Sequence, residues 1–286
     1  MRVLVTGLNG FIGKNLALRL AETPGYDIEG LLRSDTGDSL REKVGRAEAI
    51  VHLAGVNRPS DESEFRDGNA HLTNRICKAA ANAGRPILLI LASSIQATKS
   101  NAYGASKREA ELAVEQFSHA TGSPAIIYRL PNVFGKWCRP NYNSVVATFA
   151  HNIANGLPIQ INDPATELNL VYIDDVVDEC LRVLASTHLG LSWGEVTPLY
   201  RLTLGDLAER LLAFKECRNS LVLGRVGVGV ERALYATYVS YLPATSFAYP
   251  VAQYVDARGS FVEMLKTQDS GQFSFFTAHP DRKSVV

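Results

Sequence analysis

The sequence predicts a doubly wound α/β fold, a parallel sheet with helices on both faces. Three observations predict it. Apolar runs of β-forming residues recur through the first two thirds of the chain, segments of helical periodicity separate them, and glycines mark the joins.

The elements follow in order. "RVLVTG" is an apolar run ending in Gly7, and "FIGKNLALRLAE" carries Phe11, Leu16, Leu20 and Ala21 at helical spacing. "YDIEGLLR", "AEAIVHLAG" and "RPILLILASS" read as further strands, and "AHLTNRICKAAANAG" as a helix closed by Gly84. "YGASKREAELAVEQFSHATG" is a strong helix ending at Gly122, and "PAIIYRLPNVFG" another strand. After Gly135 the alternation breaks. "KWCRPNYNS" is a polar and aromatic loop before a helix, and "ELNLVYIDDVVDECLRVLAS" is a strand running into a helix and returning to the sheet. Thr203 is placed to cap the amphipathic helix of "TLGDLAERLLAF". From about Ser246 short β-like pieces take over, "AQYVDARGSFVEMLKT" and "GQFSFFTAHP".

With 286 residues the chain can form one large or two modest domains. Apolar residues make up 46% and charged residues 20%, the balance of a soluble globular protein. Lysine plus arginine and aspartate plus glutamate stand at 29 each. No net field therefore attracts nucleic acid or an anionic membrane, and neither is expected as a partner. Cys77, Cys138, Cys180 and Cys217 are scattered, with no CxxC pair or histidine cluster, and His279 is isolated. No metal site is expected, and free thiols suit a reducing cytoplasm. The first residues begin a strand without a charged leader, and no apolar run reaches membrane-spanning length. A cytoplasmic location is expected.

"VTGLNGFIG" sets Gly7, Gly10 and Gly13 between the first strand and the first helix. Such a turn aims backbone N–H groups and the helix dipole at a pyrophosphate. The strand before it and the helix after it favour a dinucleotide loop over an ordinary βα turn. The second strand ends Leu31-Leu32-Arg33-Ser34, with no carboxylate for a ribose 2′-hydroxyl. Arg33 is placed for a 2′-phosphate, so NADP(H) is the expected cofactor.

Tyr103 and Lys107 stand four residues apart at a helix start and share a face. A tyrosine ordinarily titrates near pH ~10, and a neighbouring ammonium is expected to lower that value and make the phenol a usable acid or base. Ser94, at the end of the preceding strand, is placed to orient a carbonyl or hydroxyl. Tyr-x-x-x-Lys alone is common on helices; joined to the glycine loop and "ASS", it points to hydrogen transfer.

With "TGLNGFIG", "VHLAG", "LASS", "YGASK", "RLPNVFG" and "YIDDVV" in order over about residues 1–184, the chain resembles the extended short-chain dehydrogenase/reductase superfamily, which has a Rossmann fold. The resemblance implies a catalytic group of Ser94, Tyr103 and Lys107, with Lys107 also on the cofactor ribose. It implies cofactor contacts from Gly7, Asn9, Gly10, Phe11, Ile12 and Gly13, with Arg33 at the ribose. Leu53, Ala54 and Gly55 would line the cofactor, and Pro131, Asn132 and Val133 would lie beside the nicotinamide. Two departures stand out. Residues 33–49 are few, so the family's usual third strand is expected to be reduced or lost, and the long loop between Ser94 and Tyr103 is missing.

Over nearly the whole chain, "HLAGVNRP", "SSIQATKSNAYGASK", "NVFGKWCRPNYNSVVATF", "LYATYVSYLP" and "ARGSFVEMLKTQDSGQFSFF" are similar to the UDP-2-acetamido-2,6-dideoxy-L-talose reductases. That family serves the route to UDP-N-acetyl-L-fucosamine for bacterial capsule or O-antigen, and its members continue into a metal-binding cupin domain. The resemblance implies an NADP-binding domain of residues 1–135 and about 165–187. A substrate domain would take about 136–164 and 188–245, and opening cupin-like strands 246–280. "DRKSVV", residues 281–286, matches neither the family nor the fold and is expected to be a non-native tail.

Among the family's chemistries, dehydration needs carboxylates just after the active hydroxyl, and Ser94 is followed by Ile95, Gln96, Ala97 and Thr98. A 4-epimerase retains its nicotinamide, whereas an NADP(H) site suits a cofactor that arrives reduced and leaves oxidised. The expected reaction is reduction of the C4 keto group of a UDP-4-keto-6-deoxy-HexNAc, with hydride from NADPH and a proton from Tyr103. A nucleotide-sugar 4-epimerase and a non-catalytic NADP-binding regulator are the alternatives, and a homodimer is expected. Ser94, Gln96, Asn132, Arg139 and Asn143 are the expected contacts to the UDP-linked amino sugar, with Trp137 or Tyr142 bordering the sugar or base. Asp174 and Asp175 read as helix-start carboxylates, and His52 as a satisfied structural histidine.

Overall fold

The computed structural model describes residues 1–268 and 271–280; the tail expected at 281–286 lies outside them. The chain divides into two units, the first made of Met1–Val133 and Asn169–Leu199, the second of Phe134–Leu168 and the residues from Tyr200 on.

In the first unit, β1 (Arg2–Thr6), α1 (Phe11–Glu22), β2 (Asp27–Leu31), α2 (Gly37–Arg46) and β3 (Ala49–His52) alternate. One helical run follows, composed of α3 (Ser63–Phe65), a π-helical turn (Arg66–His71) and α4 (Leu72–Ala81). Then come β4 (Leu88–Ser94), a 3-10 turn (Ile95–Thr98), α5 (Ala102–Thr121), β5 (Ala125–Leu130) and β6 (Asn132–Phe134). After α6 (Val145–Ala154) in the second unit, the chain returns through β7 (Glu167–Tyr172) to α7 (Ile173–Leu184) and β8 (Leu191–Gly194).

Six of these strands form one parallel sheet in the order β2-β1-β3-β4-β5-β8. The strand order reverses between β1 and β3, and the crevice at the carboxyl ends of the strands there is where open α/β sheets bind ligands. Thr6 pairs with His52 and Ser94 with Leu130, so the site-bearing residues share that edge. Side chains alternate across the sheet. On one face Leu4, Ile50, Leu89, Leu91 and Ile127 pack with Leu40 and Val44 of α2, Ile76 of α4, and Val114 and Phe117 of α5. Burying each such side chain contributes about 1.5–3 kcal/mol, which makes this layer the rigid support of the edge.

Three expectations are corrected or refined. Residues 33–49 hold no extra strand; α2 occupies them, its N-cap Thr36 accepting from Ser39 N at 3.2 Å, and β3 pairs directly with β1. The first unit runs on to Leu199 instead of ending near 187, because β8 is the sheet's sixth strand, in register with β5 from Ala125↔Leu191 to Tyr128↔Gly194. β7 is not a member of the six-stranded sheet, where the sequence pattern predicts it, but pairs with β6 and β9.

The second unit continues with β9 (Tyr200–Thr203), α8 (Leu204–Ser220), β10 (Val222–Leu223), α9 (Gly229–Val239), β11 (Gln253–Asp256), β12 (Gly259–Thr267) and β13 (Gln272–Ala278). Helices α6, α8 and α9 pack on one another, with Phe149, Ile153, Leu211, Phe214 and Leu234 among their buried residues. Thr203 and Asp206 form a reciprocal capping box at the start of α8. Residues 246–280 do not separate from this unit, because β12, between β11 and β13, also pairs with β10 at Val222↔Lys266. Among the described residues no helix is long and apolar enough to cross a membrane.

Candidate active site

The glycine loop closes on itself through Gly10 N donating to Gly7 O at 2.9 Å. Gly7 has φ +72°, and a Cβ there would lie 2.8 Å from Ala54 N, so only glycine lets the loop rest against the end of β3. Gly10 is the N-cap of α1, whose first turn carries no acidic residue. Asn9 and Gly10 are exposed, Phe11 and Ile12 half-buried, and Gly13 is buried. An uncapped helix start with open backbone donors and no competing carboxylate fits a pyrophosphate.

Beyond β2, Asp35 ties the loop together. It accepts from Leu32 N at 2.7 Å, Lys43 Nζ at 2.8 Å and Ser39 Oγ at 2.9 Å. The Lys43 hydrogen bond first, then those from Leu32 and Ser39, pull its carboxyl down to about 2. Asp35 is therefore engaged within the loop, and Arg33 stands exposed.

The structure brings Ser94, Tyr103 and Lys107 together. Ser94 ends β4 and caps the 3-10 turn, its Oγ accepting from Gln96 N at 3.2 Å. That turn replaces the missing loop. It packs so closely on α5 that a Cβ on Gly104 would fall 2.3 Å from Gln96 O, which is why glycine follows Tyr103. Asn101 caps α5, accepting from Gly104 N at 2.7 Å. The Tyr103 hydroxyl lies close enough to Ser94 for that side chain to act on its ionisation, and Phe65 packs against its ring at 5.6 Å. Lys107 is buried, 6.0 Å from that ring, and donates to Ala92 O at 3.2 Å.

The electrostatics correct one expectation. The phenol is not lowered by the ammonium: burial raises the Tyr103 pKa, and the Ser94 side chain offsets this only in part. Burial also pulls Lys107 down to about 8, with the charge of Glu111 opposing the fall. At neutral pH the pair is a phenol beside an ammonium, which suits proton donation.

Beneath this group runs a buried polar chain that the sequence did not disclose. Ala54 N donates to Thr6 Oγ1 at 3.0 Å, and Thr6 meets His52 Nδ1 at 2.6 Å. His52 Nε2 meets Thr73 Oγ1 at 2.8 Å, and Thr73 donates to Asn69 O at 2.7 Å. Those directions assign the proton of His52 to Nε2. Burial, then the charge of Lys107, lowers His52 to about 3, so it is neutral and structural, as expected. Asn69 accepts from Val56 N at 2.9 Å and donates to Val56 O and Ser106 Oγ at 3.0 and 2.9 Å. It thus fastens the segment after β3 to the helix of Tyr103 and Lys107. Asn69 lies in the π-helical turn, whose extra residue shifts the register that periodicity would have used to find it.

Of the remaining expected residues, Leu53, Ala54 and Gly55 follow β3, with a Cβ on Gly55 3.1 Å from Lys107 Nζ. Pro131, Asn132 and Val133 leave β5, Asn132 exposed. Gln96 is exposed on the 3-10 turn. Arg139 and Asn143 belong to the second unit and are exposed there. Their loop is held in shape: Tyr241 donates to Cys138 O, Arg139 lies 5.3 Å over the Tyr142 ring, and Trp137 has φ 67°. Asp174 and Asp175 occupy the first turn of α7, whose N-cap is Tyr172.

Comparison with known proteins gives three kinds of match. Residues 3–192 match the family described as "NAD dependent epimerase/dehydratase family". The chain is 51% identical over 280 residues to the UDP-2-acetamido-2,6-beta-L-arabino-hexul-4-ose reductase of Pseudomonas aeruginosa, covering 98% of this chain and 75% of that protein. The crystal structure of the capsular polysaccharide assembling protein CapF from Staphylococcus aureus superimposes with a TM-score of 0.86 at 41% identity, over 96% of this chain and 74% of that one. A Thermus thermophilus UDP-glucose 4-epimerase in complex with NAD superimposes at 0.67 with 19% identity, over 84% and 99% of the two chains, a likeness of fold.

Proposed function

The chain belongs to the NAD dependent epimerase/dehydratase family, and from that premise we propose that it reduces the C4 keto group of a UDP-4-keto-6-deoxy-HexNAc with NADPH, giving a UDP-2-acetamido-2,6-dideoxy-L-hexose of the talose type. The observation that carries this reading is the Ser94, Tyr103 and Lys107 cluster, with Ile95, Gln96, Ala97 and Thr98 and no carboxylate on the turn after Ser94, in a chain half identical to a hexul-4-ose reductase. The proposal includes a setting in bacterial capsule or O-antigen synthesis and a cytoplasmic homodimer.

The dinucleotide would lie over Gly7 to Gly13, with Arg33 on its 2′-phosphate and Lys107 on its ribose, and when bound it supplies the hydride. The protein's own part is to hold and protonate the sugar carbonyl. Ser94 donates a hydrogen bond to the C4 oxygen, and Tyr103 delivers its phenolic proton to the same oxygen. Burial favours that role by keeping the phenol protonated until charge develops beside it. The Lys107 ammonium then stabilises the phenolate left behind.

The test is oxidation of NADPH, followed at the reduced nicotinamide absorbance, with a UDP-4-keto-6-deoxy-HexNAc. Turnover is expected in the wild type and a loss of about 10²–10⁴-fold in Tyr103→Phe; an inactive wild type, or a fully active variant, overturns the reading. Arg33→Asp is expected to weaken NADPH binding at least about 10-fold more than NADH binding. Equal losses would remove the support for NADP(H).

A further inference from the structure

Glu111 stands behind the Ser94, Tyr103 and Lys107 group and touches each element that carries it. It lies on α5 one turn beyond Lys107 and is fully buried. Its Oε1 accepts from Ser93 Oγ at 2.6 Å and Arg129 Nε at 2.9 Å. Its Oε2 accepts from Arg129 Nη2 at 2.7 Å and Arg108 Nη1 at 3.0 Å. Four donors on two oxygens nearly fill a carboxylate's capacity, and the two Arg129 bonds form a bidentate fork. Burial alone would raise this carboxyl, but the hydrogen bonds from Arg129, Ser93 and Arg108 outweigh it and hold the group ionised.

The partners are neighbours of the reacting residues. Ser93 precedes Ser94 on β4, and Arg129 stands two residues before Pro131 on β5. One carboxylate thus locks β4 and β5 to α5. The charged and titratable groups around Lys107 are Glu111 and Tyr103 on its own helix and the neutral His52 on β3. Those around Glu111 are Arg108, Arg129 and, through Arg108, Glu115. Two arginines and two glutamates balance, so loss of the Glu111 charge leaves a net positive cluster behind Lys107.

We propose that Glu111 is the positioning residue of this group: its carboxylate, bonded to Ser93 on β4 and Arg129 on β5, sets Ser94 in register with Tyr103 and Lys107 and is the buried anion one helical turn from the Lys107 ammonium. This rests on the reading that the group protonates a substrate.

The experiment compares wild type with Glu111→Gln in two readouts. One is the titration of Lys107 followed by NMR of ε-amino ¹⁵N-labelled protein without ligands; the other is the pH profile of kcat and KM. In Glu111→Gln the Lys107 midpoint and the alkaline limb of kcat are both expected to move down by about one pH unit. At pH 7 kcat should fall at least about 10-fold and KM less than about 3-fold. Glu111→Asp, which keeps the charge, should restore the midpoint. A midpoint and limb that stay in place while only thermal stability falls would overturn the proposal. Ser93→Ala tests the register whether or not Glu111→Gln folds: kcat should fall with the Lys107 midpoint unmoved, and wild-type kcat would overturn it. An inactive wild type would sink the reductase reading alone, because the Lys107 titration needs no substrate.

Discussion

At the carboxyl edge of the parallel sheet, Lys107, Glu111, His52 and Asn69 are polar groups buried among apolar ones. In the C-terminal sheet, Tyr254, Phe273 and Phe276 are aromatic groups at 65%, 75% and 65% exposure. Each region inverts the usual order, and the two inversions have different physics. A buried polar group is costly unless paired, so the edge surrounds Glu111 with four donors and gives both nitrogens of His52 a hydroxyl. In the sheet of β11, β12 and β13, Tyr254, Phe261 and Phe276 align in register across the strands, and the outer two leave most of their surface in water. That row contributes little to its own unit. Internal pairing marks a site, whereas aligned exposed aromatics mark a face for contact with something else.

The sharpest way to break the first half of this comparison is to remove the buried ammonium. Folded Lys107 titrates at about 8 against 10.5 for the ordinary group. Because the folded value is the lower one, the unfolded chain holds this proton more tightly. A penalty of at most roughly 3 kcal/mol is therefore present below pH 8 and disappears as pH rises toward the unfolded value. Lys107→Met keeps the aliphatic stem and removes the charge. It is expected to lower kcat by about 10²–10⁴-fold while the melting temperature at pH 7 stays level or rises. Turnover and calorimetry on the same preparation check it. A parallel loss of both would mean that the ammonium is part of the scaffold.

A smaller effect separates pairing from charge. His52 lies at about 3 in the folded protein against 6.5 for the free group. Between those values the unfolded chain binds a proton that the folded chain does not. Stability is therefore full above pH 6.5 and falls as pH drops toward 3, by at most roughly 5 kcal/mol. His52→Gln is expected to cost about 1–3 kcal/mol at pH 7, since it disturbs a chain of buried hydroxyls. It should also flatten the dependence between pH 6.5 and 4. Urea denaturation at a series of pH values measures both, and an unchanged slope would assign the acid sensitivity elsewhere.

The two regions also differ in how far the sequence discloses them. Gly7, Ser94, Tyr103 and Lys107 are readable because each marks a boundary, where a strand stops or a helix starts, and boundaries have residue signatures. Glu111 is not readable: on a 20-residue helix that also carries Arg108, Glu109 and Glu115 it looks like one more solvated charge. Only the packing of β4 and β5 places Ser93 and Arg129 against it. Asn69 is hidden by the π-helical turn, and Thr6 and Thr73 by their small size. The place of β8 in the sheet was missed because "LSWG" is too short and mixed to show a period. The C-terminal strands were legible as strands, yet period-2 patterning names two faces without saying which is covered. The register shift between Glu263 and Leu265 blurs it further.

The smallest effect tests the second half of the comparison within one sheet. Val262 on β12 is 4% exposed, and its partner across the ladder is Phe275; Phe273 and Phe276 lie on the same outer strand. If the exposed aromatics of β13 add nothing to the unit's stability, Phe273→Ser with Phe276→Ser should leave the urea midpoint within about 0.5 kcal/mol of wild type. Val262→Ser should cost about 2 kcal/mol, because it empties a packed position and buries a hydroxyl. Light scattering on the same samples should show weaker self-association only in the phenylalanine double variant, since that change alone removes apolar surface and leaves the sheet intact. Equal destabilisation by both changes would place these exposed aromatics inside the unit's own core and erase the contrast with the carboxyl edge.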